Sequence, residues 1–452
     1  MSVITSAHAD LKVPQSEADR PPAFPKPASR HPADHRIAAI MAEVRKAAEL
    51  PLEEAIASPP EAYTDPDYFH WEVEHILKKD WMCLAHVSQL PCPGDYLNLE
   101  LFGEPITVLH GKDGRHRVLS RVCPHRAMDI MPPEYGYAPR GNRRMMVCPY
   151  HRWTFDLDGT LKGCPEMHKA EGFNKREHGL RAYRAETWHG FVFVNLSDDA
   201  EPIADQYADF DRQFAKWDLA NHMTVAIEMD WTVHANWKVI LENWIESYHH
   251  LGVHYQTLNT MVPAQDTWLD PEHPHMIRAH LPYKDSLAEQ AKASGVSNDA
   301  AMGFLPVPGL PDEDAAEWGL YIGYPHFQVL TFSDRVIWYR LLPLGPNKTQ
   351  WLTTTLCTKA SFEREDWSSC EAVEGKMMRD FHVEDMQVTE AVQRGLDSGR
   401  ATRGRLSHLE EPVWLIQRWL AARHEGAYPG RGDTLPRHAG AGRPATRLGA
   451  GK

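Results

Sequence analysis

Two cysteine–histidine pairs in the first half of the chain have the spacing of metal ligands. Cys123 and His125 belong to CPHR, and Cys148 and His151 belong to CPYHRW. One thiolate and one imidazole from each of two loops can bind either a tetrahedral zinc ion or a [2Fe–2S] cluster. In zinc fingers each pair usually consists of two ligands of the same type, whereas each pair here combines a cysteine with a histidine. Mixed halves favour a binuclear cluster that has both cysteines on one iron and both histidines on the other.

A second candidate site lies in NWKVILENWIESYHHL, residues 236–251, where apolar residues at helical spacing predict a helix. Glu246, His250 and His254 are spaced by four and would line up on a straight helix. His249 and His254 are five apart, about 140° around the axis, and converge only where the helix ends or bends. Spacing alone slightly favours His250 as a ligand. The structural alternative is a solvated acidic face that ends in histidines.

A carboxylate ligand is expected from a long helix predicted over 362–396. Asp385 shares an apolar stripe with Phe381 and Val388, whereas Glu384 lies on a polar stripe. A carboxylate on an apolar stripe faces inward and needs a partner, either a metal cation or a salt bridge. Two histidines and one carboxylate are the ligands of mononuclear non-heme iron with open positions for O2.

The elements that must position these residues fall into two groups. Short β-rich segments separated by Gly, Pro and Asp turns run from about 80 to 195 and predict an all-β domain. Further along, helices and strands at 319–332, 334–344 and 349–358 predict an α+β domain with an antiparallel sheet. Residues 259–318 have several prolines and no clear period, which predicts loops that cover a pocket.

The composition of the chain argues against several classes of protein. The net charge of −14 argues against a nucleic-acid partner. The sequence contains no run of 18 apolar residues, so no membrane span is expected. The N-terminus lacks the pattern of a secretory signal, so the cytoplasm is the expected compartment. Seven cysteines, an odd number, argue against a disulfide framework. The predicted segments are a disordered tail at 1–33, a helical segment at 34–79, the [2Fe–2S] domain at 80–195, the mononuclear iron domain at 196–425 and a flexible tail at 426–452.

CPHR followed by CPYHRWTFDLDG closely resembles the Rieske domain of the Rieske non-heme iron oxygenases, the ring-hydroxylating oxygenase family. Two features depart from the family pattern. Ala127 stands where a glycine usually follows CPHR, and 22 residues separate the two pairs, including what looks like an inserted loop, MPPEYGYAPRGNRRM. ENWIESYHHLGVH resembles the second motif of the family, and NWK before it also fits.

The resemblance implies an α+β fold in which an all-β Rieske domain is joined to a helix-grip (START-like) catalytic domain. It favours His249 over His250, and it places an aspartate five residues before a glutamate, as in Asp385 and Glu390. The implied site residues are the cluster ligands Cys123, His125, Cys148 and His151, the Fe(II) ligands His249, His254 and Asp385, and the catalytic residues Glu246 and Asn243.

The position of Glu246 separates this chain from most of the family, in which an aspartate bridges the mononuclear site to a Rieske histidine of the neighbouring subunit. Glutamate here resembles a subgroup that oxidises quaternary ammonium compounds such as carnitine and betaines. Tryptophans such as Trp268, Trp318 and Trp338 would then be candidates for a cation–π cage.

The function implied by the resemblance is that of a terminal oxygenase (α) subunit. It would use O2 and NAD(P)H-derived electrons, delivered by a reductase with or without a ferredoxin, to mono- or dioxygenate an aromatic or related small organic substrate, as in aromatic hydrocarbon catabolism. One alternative is hydroxylation or oxidative N-dealkylation of a quaternary ammonium compound. Another is a Rieske electron-transfer or binding protein without oxygenase activity. A homotrimer, with or without a β subunit, is expected.

Overall fold

The structure, a computed structural model, describes residues 24, 34–197, 200–284 and 304–426. Apart from Phe24 and Gly426, the predicted tails lie outside the described residues. Residues 84–197 form one compact unit, and the described residues from 34 to 83 and from 200 onward form the other.

Two β-sheets account for the strands in the described residues of the first unit. These strands are β1 Met82–His86, β2 Asp95–Leu101, β3 Glu104–His110, β4 His116–Ser120, β5 Arg140–Asn142, β6 Met146–Val147, β7 Thr154–Phe155, β8 Leu161–Gly163, β9 Ala182–Trp188 and β10 Phe191–Asn195. The larger sheet has the order β1-β10-β9-β4-β3-β2-β5, and the smaller has the order β6-β7-β8. The predicted all-β domain is confirmed.

The core of this unit reaches directly to the candidate cluster ligands. Cys123 and Cys148 are both buried, and they belong to one apolar cluster together with Leu119, Trp153 and Phe155. Apolar packing around the two cysteines removes water from the place where a cluster would bind. The same packing fixes the start of each ligand loop.

The described residues of the second unit include a seven-stranded sheet. Its strands are β11 Met223–Val233, β12 Trp268–Leu269, β13 Met276–Pro282, β14 Glu317–Gly323, β15 Phe327–Thr331, β16 Arg335–Gly345 and β17 Lys348–Thr358. The order is β11-β17-β16-β15-β14-β13-β12, and every neighbouring pair is antiparallel. The predicted α+β class with an antiparallel sheet is confirmed.

The α-helices of the described residues all belong to the second unit. They are α1 Asp34–Glu49, α2 Glu61–Thr64, α3 Pro66–Glu72, α4 Ile203–Gln206, α5 Asp211–Ala215, α6 Trp237–Ile245, α7 Asp312–Ala315, α8 Lys359–Phe362, α9 Trp367–Asp397 and α10 Glu411–His424. In the part of the chain that the structure describes, no helix combines the length and the apolar character needed to cross a membrane. The two helices that matter for the site are α6 and α9.

Two expectations about strands were wrong. Residues 319–332 form a hairpin, β14 and β15, rather than one strand. Residues 259–318, expected as loops, contain β12 and β13. Most of β13 is buried, and so it lacks the apolar–polar alternation by which a half-buried strand is recognised.

Hydrogen bonds join the start of α6 to α9. The side chain of Asn236 caps α6 by accepting the N–H of Lys238 at 3.0 Å. The backbone N–H of Asn236 donates to Gln393 Oε1 at 2.9 Å, and that of His234 donates to Glu390 Oε1 at 3.0 Å. Because α9 also carries Asp385, these contacts hold the two site-bearing helices in register.

Polar contacts with the N-terminal segment hold the other side of α6. Lys238 Nζ forms a buried ion pair with Glu72 at 2.6 Å, and the Tyr63 hydroxyl donates to Glu242 at 2.9 Å. Removing one partner of a buried ion pair leaves an uncompensated charge, at a cost of about 3–5 kcal/mol. The segment from 34 to 79 therefore stabilises the position of α6, the helix that leads into the site.

Candidate metal centres

The two Cys–His loops have the same backbone geometry. In the first, the carbonyl of Cys123 accepts the N–H of Ala127 at 2.9 Å, and the N–H of Cys123 donates to the carbonyl of Met128 at 2.8 Å. The second loop repeats both contacts at Cys148, with distances of 3.0 and 2.8 Å. Two equivalent turns thus present a cysteine and a histidine each.

Each turn closes through a residue in the left-handed region. Ala127 has φ 56°, and Arg152 occupies the equivalent position with φ 59°. This conformation costs a residue with a Cβ roughly 1–2 kcal/mol relative to glycine. The geometry explains why glycine suits the position after CPHR and shows that Ala127 carries local strain.

Replacing Ala127 with glycine is expected to stabilise the first unit by about 1 kcal/mol, because glycine adopts this φ without strain. The midpoint temperature at which the cluster's visible absorption is lost should rise by a few degrees. The matched control is Gly114→Ala. Gly114 has φ 81°, and a Cβ there would meet nothing within 4 Å, so the change tests backbone strain alone and should lower the midpoint. An unchanged or lower midpoint for Ala127→Gly would contradict the strain argument.

The side chains of the two loops suit a [2Fe–2S] cluster. The rings of His125 and His151 lie 4.6 Å apart between centroids, and Nδ1 of His151 is buried with no hydrogen-bond partner among the described residues. Burial is the main cause that raises the pKa of the Cys123 thiol, so cluster binding must displace its proton. The Trp153 ring stacks on His125 at 4.7 Å and covers one side of the site.

Three candidate ligands of the second site converge. His249, His254 and Asp385 each offer a ligand atom, and these atoms all lie within 4.8 Å of one another. Asp385 Oδ1 lies 2.9 Å from Nε2 of His254 and 3.7 Å from Nε2 of His249. Two imidazole nitrogens and one carboxylate oxygen that face one point form the donor set of a mononuclear iron site.

The end of α6 decides which histidines converge. The helix ends at Ile245, and Glu246 is extended with φ −89° and ψ 152° before a 3-10 turn at Tyr248–Leu251. The straight-helix assumption, which favoured His250, was therefore wrong. Because the helix ends before His249, the side chain of His249 can face Asp385.

His250 is close to the ligand group but makes a different contact. It is buried, and its Nδ1 lies 3.4 Å from the carbonyl of Val262. Its ring centroid lies 4.8 Å from that of His249 and 5.7 Å from that of His254. A ring whose Nδ1 points at a backbone carbonyl is suited to a wall of the site.

Replacing His249 with alanine is expected to lose the mononuclear iron and keep the cluster, because one of three ligand atoms is removed. His250→Ala should retain both metals at a cost in stability, since it removes a buried ring. Iron content by mass spectrometry, together with the cluster's visible spectrum, measures both results. Loss of the mononuclear iron in His250→Ala with its retention in His249→Ala would reverse the ligand assignment.

Carboxylates hold the far nitrogen of each candidate ligand histidine. Nδ1 of His249 donates to Glu246 Oε1 at 2.7 Å, and Nδ1 of His254 donates to Glu384 Oε2 at 2.7 Å. Such contacts fix the tautomer that leaves Nε2 free for a metal. Burial opposes protonation of His254, but Asp385 and Glu384 outweigh it and raise the pKa of this histidine.

Glu384 is a site residue that the sequence analysis assigned to a solvated stripe. Its side chain is 36% exposed, which fits that assignment, yet its Oε2 contacts the buried His254. The sequence signal that could have identified Glu384 was its position directly before Asp385, a candidate metal ligand. Asn243 lies on α6 and does not line the site cavity, and so its candidate catalytic role remains a prediction.

A largely apolar pocket lies beside the three converging side chains and contains about 590 Å³ of empty space, part of which is open to solvent. Its aromatic walls are Trp244, Trp318, Phe332, Tyr339 and Phe381. Of the three tryptophans suggested for a cage, Trp318 lines this cavity. Trp338 does not, because it precedes Tyr339 on β16 and points to the opposite face, and Trp268 stacks on His280 beside a neighbouring pocket.

Both units of this chain are similar to known protein families. The model of the Rieske [2Fe-2S] domain family matches residues 80–183, and that of the ring hydroxylating alpha subunit (catalytic domain) family matches residues 206–426. The glycine betaine monooxygenase oxygenase subunit of Chromohalobacter salexigens is 28% identical over 74% of this chain and 78% of that protein. The carnitine monooxygenase oxygenase subunit of Acinetobacter pittii is 35% identical over 41% of this chain, a match that spans about half of that protein.

Solved structures of known oxygenases are similar in fold to this chain. The quaternary ammonium Rieske monooxygenase CntA in complex with L-carnitine has a TM-score of 0.68 at 25% identity, over 82% of this chain and 96% of that one. Naphthalene 1,2-dioxygenase from Rhodococcus has a TM-score of 0.67 at 17% identity, over 87% and 98%, which supports the fold. The chain therefore belongs to the Rieske oxygenases, as an oxygenase α subunit whose cofactors are a Rieske [2Fe–2S] cluster and a non-heme iron.

Proposed function

We propose that this chain oxygenates a small organic substrate at an iron held by His249, His254 and Asp385. Electrons from NAD(P)H would enter through a cluster held by the two Cys–His loops. The observation that carries the proposal is the convergence of two Nε2 atoms and one carboxylate oxygen at the wall of a largely apolar pocket. When bound, the iron supplies activation of O2 at its open positions.

The residues around the site have defined tasks in this proposal. Glu246 and Glu384 accept the Nδ1 protons and direct Nε2 of both histidines inward. Burial alone would raise the pKa of Asp385, but His254 and His249 outweigh it and keep that pKa low, so this carboxylate is ionised and ready to bind a cation. The apolar walls exclude water from the place where substrate and O2 would meet.

The cavity walls support a substrate with an apolar or aromatic body. Leucine and methionine side chains, with five aromatic rings, provide contact area, and the tilted rings of Trp318 and Phe332 lie 4.9 Å apart. Flat aromatic substrates pack well against such rings. An aromatic or related compound is therefore our first candidate, and aromatic hydrocarbon catabolism is one setting for it.

Hydroxylation or oxidative N-dealkylation of a quaternary ammonium compound is the second candidate. It is favoured by Glu246, and by relatives whose names specify glycine betaine and carnitine. The aromatic walls would bind a cationic head group through cation–π attraction, worth about 2 kcal/mol when desolvated.

Product analysis decides between the two substrate classes. The purified protein with a surrogate reductase, NADH and O2 would be given matched panels of aromatic compounds and quaternary ammonium compounds, and oxygenated products would be identified by mass spectrometry. Three irons per chain are expected, two in the cluster and one in the mononuclear site. Two irons per chain and no product from either panel would favour an electron carrier without oxygenase activity.

For assembly, we propose a homotrimer in which Glu246 links the iron site of one subunit to the Rieske cluster of the next. The support is the family resemblance together with the position of Glu246, whose Oε1 already bonds to His249. Sedimentation of the purified protein tests the trimer, and co-purification tests whether a β subunit accompanies it. A sedimenting monomer with full activity would exclude transfer between subunits.

A further inference from the structure

Two polar side chains in the wall of the pocket beside Asp385 have hydrogen-bonding atoms without a partner in the chain. They are His382 on α9 and Tyr339 on β16, and both line the pocket. His382 is 3% exposed and Tyr339 is 2% exposed, so both side chains are buried. A buried polar atom normally has a hydrogen-bond partner, which makes each of these groups a candidate for contact with a bound molecule.

The hydrogen bond of His382 fixes which of its ring nitrogens carries the proton. Nδ1 contacts the backbone carbonyl of Met378, one turn earlier on α9. Because a carbonyl oxygen only accepts, Nδ1 must carry the proton, and Nε2 of the neutral ring has a lone pair. Burial is the main cause that lowers the pKa of His382, and so the ring is neutral at neutral pH. Among the described residues, Nε2 of His382 has no hydrogen-bond partner.

Aromatic side chains hold the His382 ring in this orientation. Its ring centroid lies 4.8 Å from that of Trp351, 5.5 Å from that of Tyr339 and 6.4 Å from that of Trp231. This packing explains the orientation of the ring, but it leaves the Nε2 acceptor unused. His382 is also outside the group of three converging ligand side chains. Neither core packing nor metal binding accounts for Nε2.

Tyr339 supplies the complementary group, a hydroxyl donor. Trp244 packs edge-on against the Tyr339 ring at 5.1 Å between centroids and donates a hydrogen bond to the hydroxyl. An indole N–H only donates, so the hydroxyl oxygen is the acceptor in this contact. Burial raises the pKa of Tyr339, and so the hydroxyl keeps its own proton. In the part of the chain that the structure describes, that O–H has no acceptor.

One donor and one acceptor on neighbouring rings are the complement of an alcohol hydroxyl. A hydroxyl can accept from the tyrosine O–H and donate to the histidine Nε2 at the same time. A carboxylate has no proton to donate to Nε2, and neither lysine nor arginine lines the pocket to neutralise its charge. A quaternary ammonium group has no N–H to donate. The pair therefore selects for a hydroxyl group among these alternatives.

We propose that His382 and Tyr339 determine substrate specificity by binding a hydroxyl group, so that the substrate is an alcohol or a phenol with an apolar body. The proposal deepens the proposed function and rests on it, because it takes this pocket as the substrate site. His382 precedes Asp385 by three residues on α9, and residues at this spacing are neighbours on a helix surface. The bound hydroxyl therefore lies on the Asp385 side of the pocket.

The test compares two probes that differ by one hydroxyl group, benzyl alcohol and toluene. Equilibrium dialysis of the full-length protein with both metals bound, under argon and without a reductase, gives the dissociation constant of each probe. The parent protein should bind benzyl alcohol more tightly than toluene. His382→Phe and Tyr339→Phe should each weaken benzyl alcohol binding roughly three- to tenfold, the usual effect of one hydrogen bond, and change toluene binding less than about twofold. Both substitutions keep a ring in place.

Tyr321→Phe is the matched control. Tyr321 is also a buried tyrosine of the same sheet, but its hydroxyl accepts from Gln213 at 3.0 Å and it does not line the pocket. Both affinities should equal those of the parent. His250 lines the pocket as well, and its Nδ1 lies 3.4 Å from a carbonyl, so its Nε2 is the competing acceptor. His250→Leu should keep the preference for benzyl alcohol.

Three results would overturn the proposal. One is a parent protein that binds benzyl alcohol no more tightly than toluene. Another is a parent-like ratio of the two dissociation constants in both His382→Phe and Tyr339→Phe. The third is loss of the preference in His250→Leu with its retention in His382→Phe. Iron content and the visible spectrum verify both metals in every variant. Because no oxidation takes place in the assay, an absence of oxygenase activity would leave these ratios unaltered.

Discussion

Cys148→Ala is expected to abolish the visible and EPR signals of the Rieske cluster. A methyl group cannot replace a thiolate that binds iron, and Cys148 is buried in the apolar core. Electron delivery to the mononuclear site should then fall below detection. The measurements are the reduced-state EPR spectrum and the sulfide content of the purified variant.

Cys164→Ala is the matched control for this prediction. Cys164 is also a free cysteine that packs against the same apolar cluster, but it is outside the two ligand pairs. It should keep the full spectrum. His151→Cys offers an independent check, because an anionic thiolate in place of a neutral imidazole should keep a cluster and lower its potential. An unchanged EPR signal in Cys148→Ala would remove the cluster assignment.

Glu246→Gln is expected to lower single-turnover oxidation by orders of magnitude while the cluster stays reducible. In the structure, Oε1 of Glu246 accepts Nδ1–H of His249 at 2.7 Å, and Oε2 accepts the backbone N–H of His249 at 3.0 Å. An amide can accept only one of these bonds and carries no charge. Iron affinity should fall roughly 10–100-fold, as usual when such a supporting contact is lost.

The part of the loss in oxidation that weaker iron binding does not explain tests the proposed link between subunits. Single-turnover assays with iron restored to saturation measure it, with product counted per cluster. Glu384→Gln is the control, because Glu384 makes the equivalent 2.7 Å contact with His254 and is more exposed. It should weaken iron binding and recover with added iron. If Glu246→Gln recovers equally, Glu246 serves only to orient His249.

Local sequence was sufficient where the interacting groups lie close along the chain. Cys123 and His125, like Cys148 and His151, occupy single tight turns, so spacing and residue type alone predicted their partnership. The long helix over 362–396 was predicted close to its observed bounds, Trp367–Asp397, because its apolar period is long and regular. The two-domain α+β class followed from the change of pattern near residue 200.

Tertiary structure decided what local pattern left open. Whether His249 or His250 faces the iron depends on the end of α6 at Ile245, after which Glu246 is extended; helix periodicity cannot apply beyond that point. The strand β13 was not predicted because most of its residues are buried. It therefore lacks the apolar–polar alternation by which a half-buried strand is recognised.

The supporting contact from Glu384 could not be derived from sequence either. His254 and Glu384 are 130 residues apart. The helix α9 is held along α6 by hydrogen bonds in which Gln393 and Glu390 accept the backbone N–H groups of the two residues Asn236 and His234, just before the start of α6. The sequence by itself determined which donor types this protein carries and which short turns present them. Only the packing of α9 along α6 decided which nitrogen and oxygen atoms meet, because pairings across such separations depend on the whole fold rather than on any local period.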